Sequence, residues 1–564
     1  MASSRLLIVL IVLFLVVRHA VASEAVTKAA KAFVASHEKR IRPLDIASNE
    51  AWWVANTTGD KAAFKKKVEA QNKIDEALSD KVKFAELKKL HGQRKDIDDA
   101  ETRRAIGVLH LLYLEKQLDG PTLRQMAELS SAVEEKFNTF RAKDGEKELT
   151  DNQVREILLK SSDSKRLQAV WESSKAVGAE VEKDLKKLVK LRNEAAAKLG
   201  FKNFQQMQLE LNEQTPAGVL KLFDELDELT REPFLAAKKE IDARLAKRYK
   251  AEPADLMPWH YHDPFFQDTP RVFDADLDEP FRKADIERMC SEFFKGIGLP
   301  IDKVLAKSDL KEKKGKSQHA FCTDIDREGD VRVLANIVPN HQWASTMLHE
   351  LGHAVYSTTG DNIPKALPYA LRSEAHILAT EGVAMMFERL SNRSSFLKEM
   401  GVEVKDAKAY DEAASQAMRY RLLIFSRWCQ VMLRFEKGMY EDPEQDLNAL
   451  WWKLVEKYQG LKKPAGRSAP DYAAKIHIVV APVYYHNYMM GELFASQLHH
   501  AIAREVYKGE SPDRVIYAGN KEVGEFMRKK VFAPGRTLDW NGLAKHATGA
   551  ELNAKAFAAD FKAK

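Results

Sequence analysis

Ile106-Gly107-Val108-Leu109-His110-Leu111-Leu112-Tyr113 is the stretch from which the fold class follows. Ile106, Leu109, Leu112 and Tyr113 recur at i, i+3, i+6 and i+7, with the charges on the other face, and this spacing predicts an amphipathic helix. The same texture, rich in Ala, Lys, Glu and Leu, runs from Ser23 to about Ala251 and predicts several long helices. It is interrupted from Glu252 to Pro280, where Pro253, Pro258, Pro264 and Pro270 mark a long irregular connection. After Pro339 the helical pattern returns and holds almost to the end. One place reads as β-structure. Val331, Val333 and Ala335 alternate with Arg332 and Leu334 after a turn at Arg327-Glu328-Gly329, and His319 to Asp324 can pair with them as a short hairpin. No internal repeat is present. The fold class is all-α with a very small sheet.

Composition narrows the function classes. The 564 residues are 45% hydrophobic and 30% charged, enough apolar material for a large core and too much for a disordered chain. With Gly at 26 and Pro at 19, collagen-like and turn-rich all-β folds are excluded. Lys+Arg of 89 against Asp+Glu of 83 leaves a net charge of +6, too small and unclustered for a nucleic-acid partner. The three cysteines, Cys290, Cys322 and Cys429, cannot build a disulfide framework. Arg5, the apolar run from Leu6 to Val17, and Ala20-Val21-Ala22 before Ser23 read as a secretory signal peptide over residues 1–22. The run falls short of the about 20 residues a membrane span needs, and no later stretch reaches that length. A secreted, soluble mature chain is expected, acting as a monomer. The sequons Asn56-Thr57-Thr58 and Asn392-Arg393-Ser394 fit that route. Lys311 to Lys316 reads as a solvated loop.

His349-Glu350-Leu351-Gly352-His353 is an HExxH motif. Positions i and i+4 share one helix face, so both imidazoles can reach one Zn2+ with Glu350 beside them as general base. Asn340 can cap this helix, and Trp343, Met347, Leu351 and Val355 give it an apolar stripe. A catalytic zinc needs a third protein ligand and an open position. Glu374, His376, Glu381 and Glu388 follow downstream, on a helix that Ser373 can cap. Glu374 and Glu381 are seven apart and share a face, and the residues alone rate them equally as the ligand, with His376 behind.

Further motifs make the chain resemble the angiotensin-converting-enzyme family of zinc dipeptidyl carboxypeptidases. His319-Ala320 lies thirty residues before His349, the family's separation for its substrate-binding His-Ala pair. Trp451-Trp452, Lys457-Tyr458-Gln459-Gly460-Leu461, Ala474-Lys475-Ile476-His477-Ile478, Tyr485 and Tyr488, and Gln497-Leu498-His499-His500-Ala501 continue the match in order. The resemblance is good from about Asp278 onward, and the N-terminal helices match in character only. It implies a two-lobed helical ellipsoid with a deep central cleft and a helical lid. A single peptidase domain over residues 23–564 is expected, with a lid and lobe to about residue 250 and a catalytic core from about residue 278.

The resemblance also implies roles. It points to Glu374 as third ligand beside His349 and His353. Glu350 is then the general base, His477 and Tyr488 donate to the oxyanion, His319 and Ala320 bind the substrate backbone, and Lys475 with Tyr485 holds a free C-terminal carboxylate. The implied activity is removal of C-terminal dipeptides from short peptides. An oligopeptidase cleaving internally and an inactive binding protein are the alternatives. Some family features are absent. Val455 and Asn487 replace two chloride-binding arginines, so little chloride activation is expected. Leu378 stands where the family has an Asp four residues after its ligand, which leaves that supporting work to Glu381. A carboxylate-binding Gln falls near the acidic Asp278-Glu279, which puts strict dipeptide release in doubt.

Overall fold

The computed structural model describes residues 2–272, 276–479 and 481–561, with the side chains of residues 2–22 and 138 outside the description. It is 68% helical with two two-stranded sheets, so the all-α expectation holds. The N-terminal half carries α1 (Ala2–Thr58), α2 (Lys61–Leu78), α3 (Lys81–Gly92), α4 (Ala100–Glu115) and α5 (Gly120–Thr139). Asp60, Asp80, Asp99 and Asp119 each accept a backbone N–H at the start of α2 to α5, the device that turns one helix-prone run into separate helices. A hairpin of β1 (Ala142–Asp144) and β2 (Lys147–Leu149) follows, then α6 (Val177–Lys198) and α7 (Pro216–Tyr249). This first hairpin was not expected, because three-residue strands are too short to show alternation.

In α4, Ile106, Leu109 and Tyr113 are fully buried, but Leu112 is 37% exposed. Six residues of helix turn through about 600°, which carries Leu112 off the stripe that Ile106 defines. Ala105 and Val108 fill the inner face instead. The signal-peptide reading falls on residues 1–22, whose side chains lie outside the description. No helix among the described residues is long and apolar enough to cross a membrane.

The proline-rich connection is irregular as predicted, broken into short turns such as Pro258–Tyr261 and Glu279–Phe281. The second hairpin also forms as read. β3 (Phe321–Asp324) runs antiparallel to β4 (Val331–Leu334), with Phe321 opposite Leu334 and Asp324 opposite Val331. Asp324 Oδ1 accepts the Arg327 N–H at 2.9 Å and Asp326 Oδ1 accepts that of Glu328 at 2.7 Å, which closes the turn. α1 packs over this hairpin. The rings of Trp52 and Phe321 lie 4.1 Å apart, and Asn49 Nδ2 donates to the Asp324 and Ile325 carbonyls. The loop before β3 corrects one expectation. Lys311 to Gly315 are exposed, but Lys316 is buried and its Nζ donates to Asp309 Oδ1 at 2.8 Å and to the Ala335 carbonyl at 2.5 Å.

The C-terminal half is built on α8 (His341–Ser357), α9 (Ile377–Glu388), α10 (Ala407–Glu441), α11 (Leu447–Gln459) and α12 (His486–Glu505). α10 is tied to α7 by fully buried Arg427, which pairs with Asp227 and donates to Thr230. Buried apolar side chains from Ala30 to Phe561 form one continuous cluster around these helices.

Candidate metal centre and cleft

α8 starts where the sequence reading put it, with Asn340 Oδ1 accepting the Trp343 N–H at 2.8 Å. Met347, Leu351 and Val355 are buried along one stripe, which fixes the rotation of the helix and turns His349 and His353 to the adjacent face. α9 crosses α8 closely. A Cβ on Gly352 would stand 2.8 Å from Ala384 Cα, so only glycine admits the approach. α12 closes on the far side of α9, where a Cβ on Gly491 would stand 3.0 Å from the Glu381 Cβ. Three helices thus fix the position of Glu381.

The structure brings Glu381, not Glu374, to the two imidazoles. His349, His353 and Glu381 each offer a ligand atom, and these atoms lie within 4.8 Å of one another. α9 begins at Ile377 with His376 as its cap, whose Nδ1 accepts the Leu378 N–H, and does not begin at Ser373 as expected. Glu374 therefore sits in the preceding loop, where its carboxylate accepts the Ser357 hydroxyl at the end of α8. With that start of α9, the carboxylate on its second turn is the one facing α8. His376 is buried and turned to its own helix.

The donor set fits a tetrahedral zinc. His349 Nδ1 donates to Glu388 Oε2 at 2.7 Å, and the Thr380 hydroxyl accepts the Nδ1 proton of His353 at 2.7 Å. With both Nδ1 atoms protonated, the two Nε2 atoms turn their lone pairs toward each other across 3.1 Å, the arrangement a shared cation requires. Glu381 Oε2 is 3.5 Å from His349 Nε2 and 4.0 Å from His353 Nε2. Zinc bonds of about 2.0–2.2 Å in a tetrahedron separate ligand atoms by about 3.4 Å, close to this triangle. The carboxylate that meets His349 Nδ1 is that of Glu388. Glu374, Glu381 and Glu388 recur every seven residues, a sequence signal for a polar seam on an otherwise apolar helix.

This centre opens on a cleft of about 1390 Å³. His319, Ala320, His349, Glu350, His353, Glu374, Lys475, His477, Tyr485 and Tyr488, every residue expected at the site, line it together with β3. Glu350 is buried, and burial pushes its carboxyl up to about 7 against the pull of His349 and of the Cys322 N–H. That influence sets the unpaired edge of β3 beside Glu350. His477 and Tyr488 flank Tyr485, with ring centroids 4.8 and 5.4 Å from it. Burial holds His477 down at about 4, with Lys475 adding to the effect, and its Nδ1 has no partner among the described residues.

Lys475 is 6% exposed, and no carboxylate among the described residues pairs with it. Its Nζ donates to Gln267 Oε1 at 2.6 Å and lies 5.2 to 5.4 Å from the ring centres of Tyr485, Trp428 and Phe265. Burial pulls it down to about 8, with Asp263 opposing. Gln267 corrects the expectation of an acidic replacement. Asp278 accepts the His341 N–H and Glu279 pairs with Lys405, both away from Lys475. Gln267 lies inside the proline-rich connection, and nothing in its sequence marks it beyond the unusual length of that segment. The replaced chloride position is neutral. Gln214 Nε2 donates to Asn487 Oδ1, and its Oε1 accepts from His486, which burial pulls down to about 3.

A helical cleft that carries an HExxH pair, a third carboxylate and a buried glutamate beside them has the donor arrangement of the HExxH class of metal sites. The chain belongs to the angiotensin-converting enzyme family, peptidase family M2, whose profile matches residues 24–234 and 264–563. It is 22% identical over 328 residues to the angiotensin-converting enzyme of Theromyzon tessulatum, covering 54% of this chain and 51% of that one. It is 23% identical over 443 residues to the angiotensin-converting enzyme-like protein Ace3 of Mus musculus, covering 72% and 59%. With the Rattus norvegicus angiotensin-converting enzyme the figures are 24% over 277 residues, 47% of this chain and 20% of that protein. The chain thus spans about half of the length of the Theromyzon relative and about a fifth of the Rattus one.

Proposed function

We propose that this chain is a zinc metallopeptidase, a peptidyl-dipeptidase that removes C-terminal dipeptides from short, flexible peptides. The observation that carries the reading is Lys475, a buried cation with no anionic partner among the described residues, held by Gln267 in an aromatic box on the wall of the cleft that holds the HExxH helix. A free terminal carboxylate completes that box. Two extended residues span about 7 Å, so such a cation sets the register of cleavage. Amide-capped ends lack the charge and leave a buried cation unpaired, which is costly.

His349, His353 and Glu381 would hold zinc, with Glu381 taking the place expected of Glu374. Bound there, zinc supplies Lewis-acid polarisation of the scissile carbonyl and acidifies water. Glu350 takes the proton of the attacking water and passes it to the leaving amine. Tyr488 and His477 donate to the developing oxyanion. The free edge of β3, entered through His319 and Ala320, pairs with the substrate backbone. Export through a leader at residues 1–22, a mature domain from residue 23, and carbohydrate at Asn56 or Asn392 belong to the same proposal.

The test is mass spectrometry of the products from a decapeptide with a free or amidated terminus, using wild type and Glu350→Gln. Release of terminal pairs by the wild type alone, from the free peptide alone, is expected. Equal cleavage of the amidated peptide favours the internal oligopeptidase. Equal turnover by both proteins removes Glu350 from the mechanism, and a protein with no zinc and no turnover is the inactive alternative.

A further inference from the structure

We propose that a second chamber behind Lys475 takes the acidic side chain of a substrate's last residue, with Lys175 as the cation that selects it, so that the favoured substrates are short peptides ending in Glu or Asp. The inference rests on the peptidyl-dipeptidase reading and names the substrate class of its carboxylate site.

The cleft does not end at Lys475. A cavity of about 240 Å³ adjoins it there, and Lys475, Gln267, Asp263 and Ile476 line both hollows. Lys175, the last residue of the helix Ser164–Lys175, lines this cavity and not the cleft. It is 3% exposed and makes no hydrogen bond or ion pair with any described residue. Its Nζ stands 3.4 Å from the ring centre of Phe265 and 5.1 Å from that of Trp171. Phe265 is also a wall of the box around Lys475, whose Nζ is 5.4 Å from the same ring centre. One ring thus carries two buried ammonium groups.

The carboxylates near Lys175 are engaged elsewhere. Asp471 is fully buried, and its two oxygens accept from Arg467 and from Trp452 Nε1. Asp263 Oδ1 accepts the N–H groups of Phe265 and Gln267 at 2.8 and 3.1 Å. Burial pulls Lys175 down to about 7, because Asp471 and Asp263 favour its charge while Arg467 and Lys475 oppose it. Attraction to the aromatic faces offsets less than desolvation of the ion costs. The side chain is also held in place. Gly178 leaves no room for a Cβ against the Pro470 carbonyl, where the turn Asp471–Ala474 that leads into Lys475 begins. The two lysines are therefore fixed relative to one another by close packing.

A terminal Glu or Asp carries two carboxylates on one residue. With its main-chain carboxylate on Lys475, its side chain enters the chamber and meets Lys175. A terminal Gln fills the same volume without the charge and leaves Lys175 unpaired. Arg155, exposed at the mouth, lines both hollows and forms no ion pair with a described residue, so it adds to the pull on an acidic end.

The test is kcat/KM for dipeptide release by the zinc-loaded full chain from two hexapeptides that differ only in a last residue of Glu or Gln. The wild type is expected to favour Glu by about tenfold or more, mainly through KM. Lys175→Met is expected to bring that ratio to about one, and Lys175→Arg to retain much of it. Equal rates on the two peptides in the wild type overturn the inference, as does a ratio that survives in Lys175→Met. A ratio that Arg155→Met abolishes and Lys175→Met leaves would place the selection at the mouth. Should Lys175→Met not fold, Lys175→Gln is read by the same criteria. A wild type that releases no terminal pair from the Gln peptide, or cleaves its amide as well, overturns the underlying dipeptidase reading instead.

Discussion

Glu374 and Glu381 could not be ranked from sequence, and the reason is local. Both occupy one face of a helical pattern, and only the true start of α9 decides which faces the histidines. That start depends on His376, which caps the helix through its own ring, a use for which histidine is not a usual choice. Glu381→Ala is therefore expected to abolish stoichiometric zinc binding, and Glu374→Ala to leave it intact, as metal analysis after gel filtration reads. The reverse result would restore Glu374 as the ligand. Lys475 gives a second expectation. Hydrogen bonds to charged groups are worth about 1.5–3 kcal/mol, so Lys475→Met should raise KM for free-carboxylate peptides by about tenfold or more and leave amidated peptides unaffected. The buried ammonium is held at about 8, against 10.5 for an ordinary lysine. Between those values the unfolded chain binds more protons than the folded one, so this group's cost to stability is full below pH 8 and is relieved as pH rises. Substrate binding runs the other way, because a neutral amine cannot hold the carboxylate. KM for free peptides should climb above about pH 8 in the wild type and stay flat in Lys475→Met.

The helices that carry the site were legible because their determinants are local. Asn340 capped α8 as read, the apolar stripe fixed its rotation, and the β3–β4 hairpin followed from alternation and its turn. What escaped was non-local. Gln267 reaches Lys475 across 208 residues, and Glu388 meets His349 through the crossing of two helices. That crossing depends on Gly352 inside the motif. A methyl group there, 2.8 Å from Ala384 Cα, must push the backbones of α8 and α9 apart. Overpacking of this kind costs about 1–3 kcal/mol, and the displacement also moves Glu381 off the imidazoles. Gly352→Ala should lower the urea midpoint without changing the slope and weaken zinc as well. Asn340→Ala removes a cap at the far end of the same helix. It should cost about 1 kcal/mol and leave zinc affinity unchanged. If both variants lose stability and zinc in the same proportion, helix formation and not helix separation controls the metal centre.

At the scale of the whole molecule the charges are divided. The chain carries a net charge of +6, yet nine carboxylates and only five lysine or arginine side chains line the cleft. A bound zinc offsets part of that excess, so the entrance remains negative inside a positive exterior. Low-dielectric walls concentrate such a field and raise the encounter rate of ligands of opposite sign, an effect that falls as salt shortens the Debye length from about 30 Å at 0.01 M to about 8 Å at 0.15 M. A peptide of positive net charge should therefore lose kcat/KM severalfold over that range, and an anionic peptide of equal length should hold or gain. The anion of the salt should not matter. Val455 is apolar, and Asn487 is occupied by Gln214 in a network kept neutral by the low pKa of His486, so neither position offers a cation to chloride. Sodium acetate and sodium chloride at equal ionic strength should give superimposable curves for both peptides. A several-fold rise in activity specific to chloride would mean that another cation in the cleft wall binds it, and would separate anion activation from the two arginine positions this chain lacks.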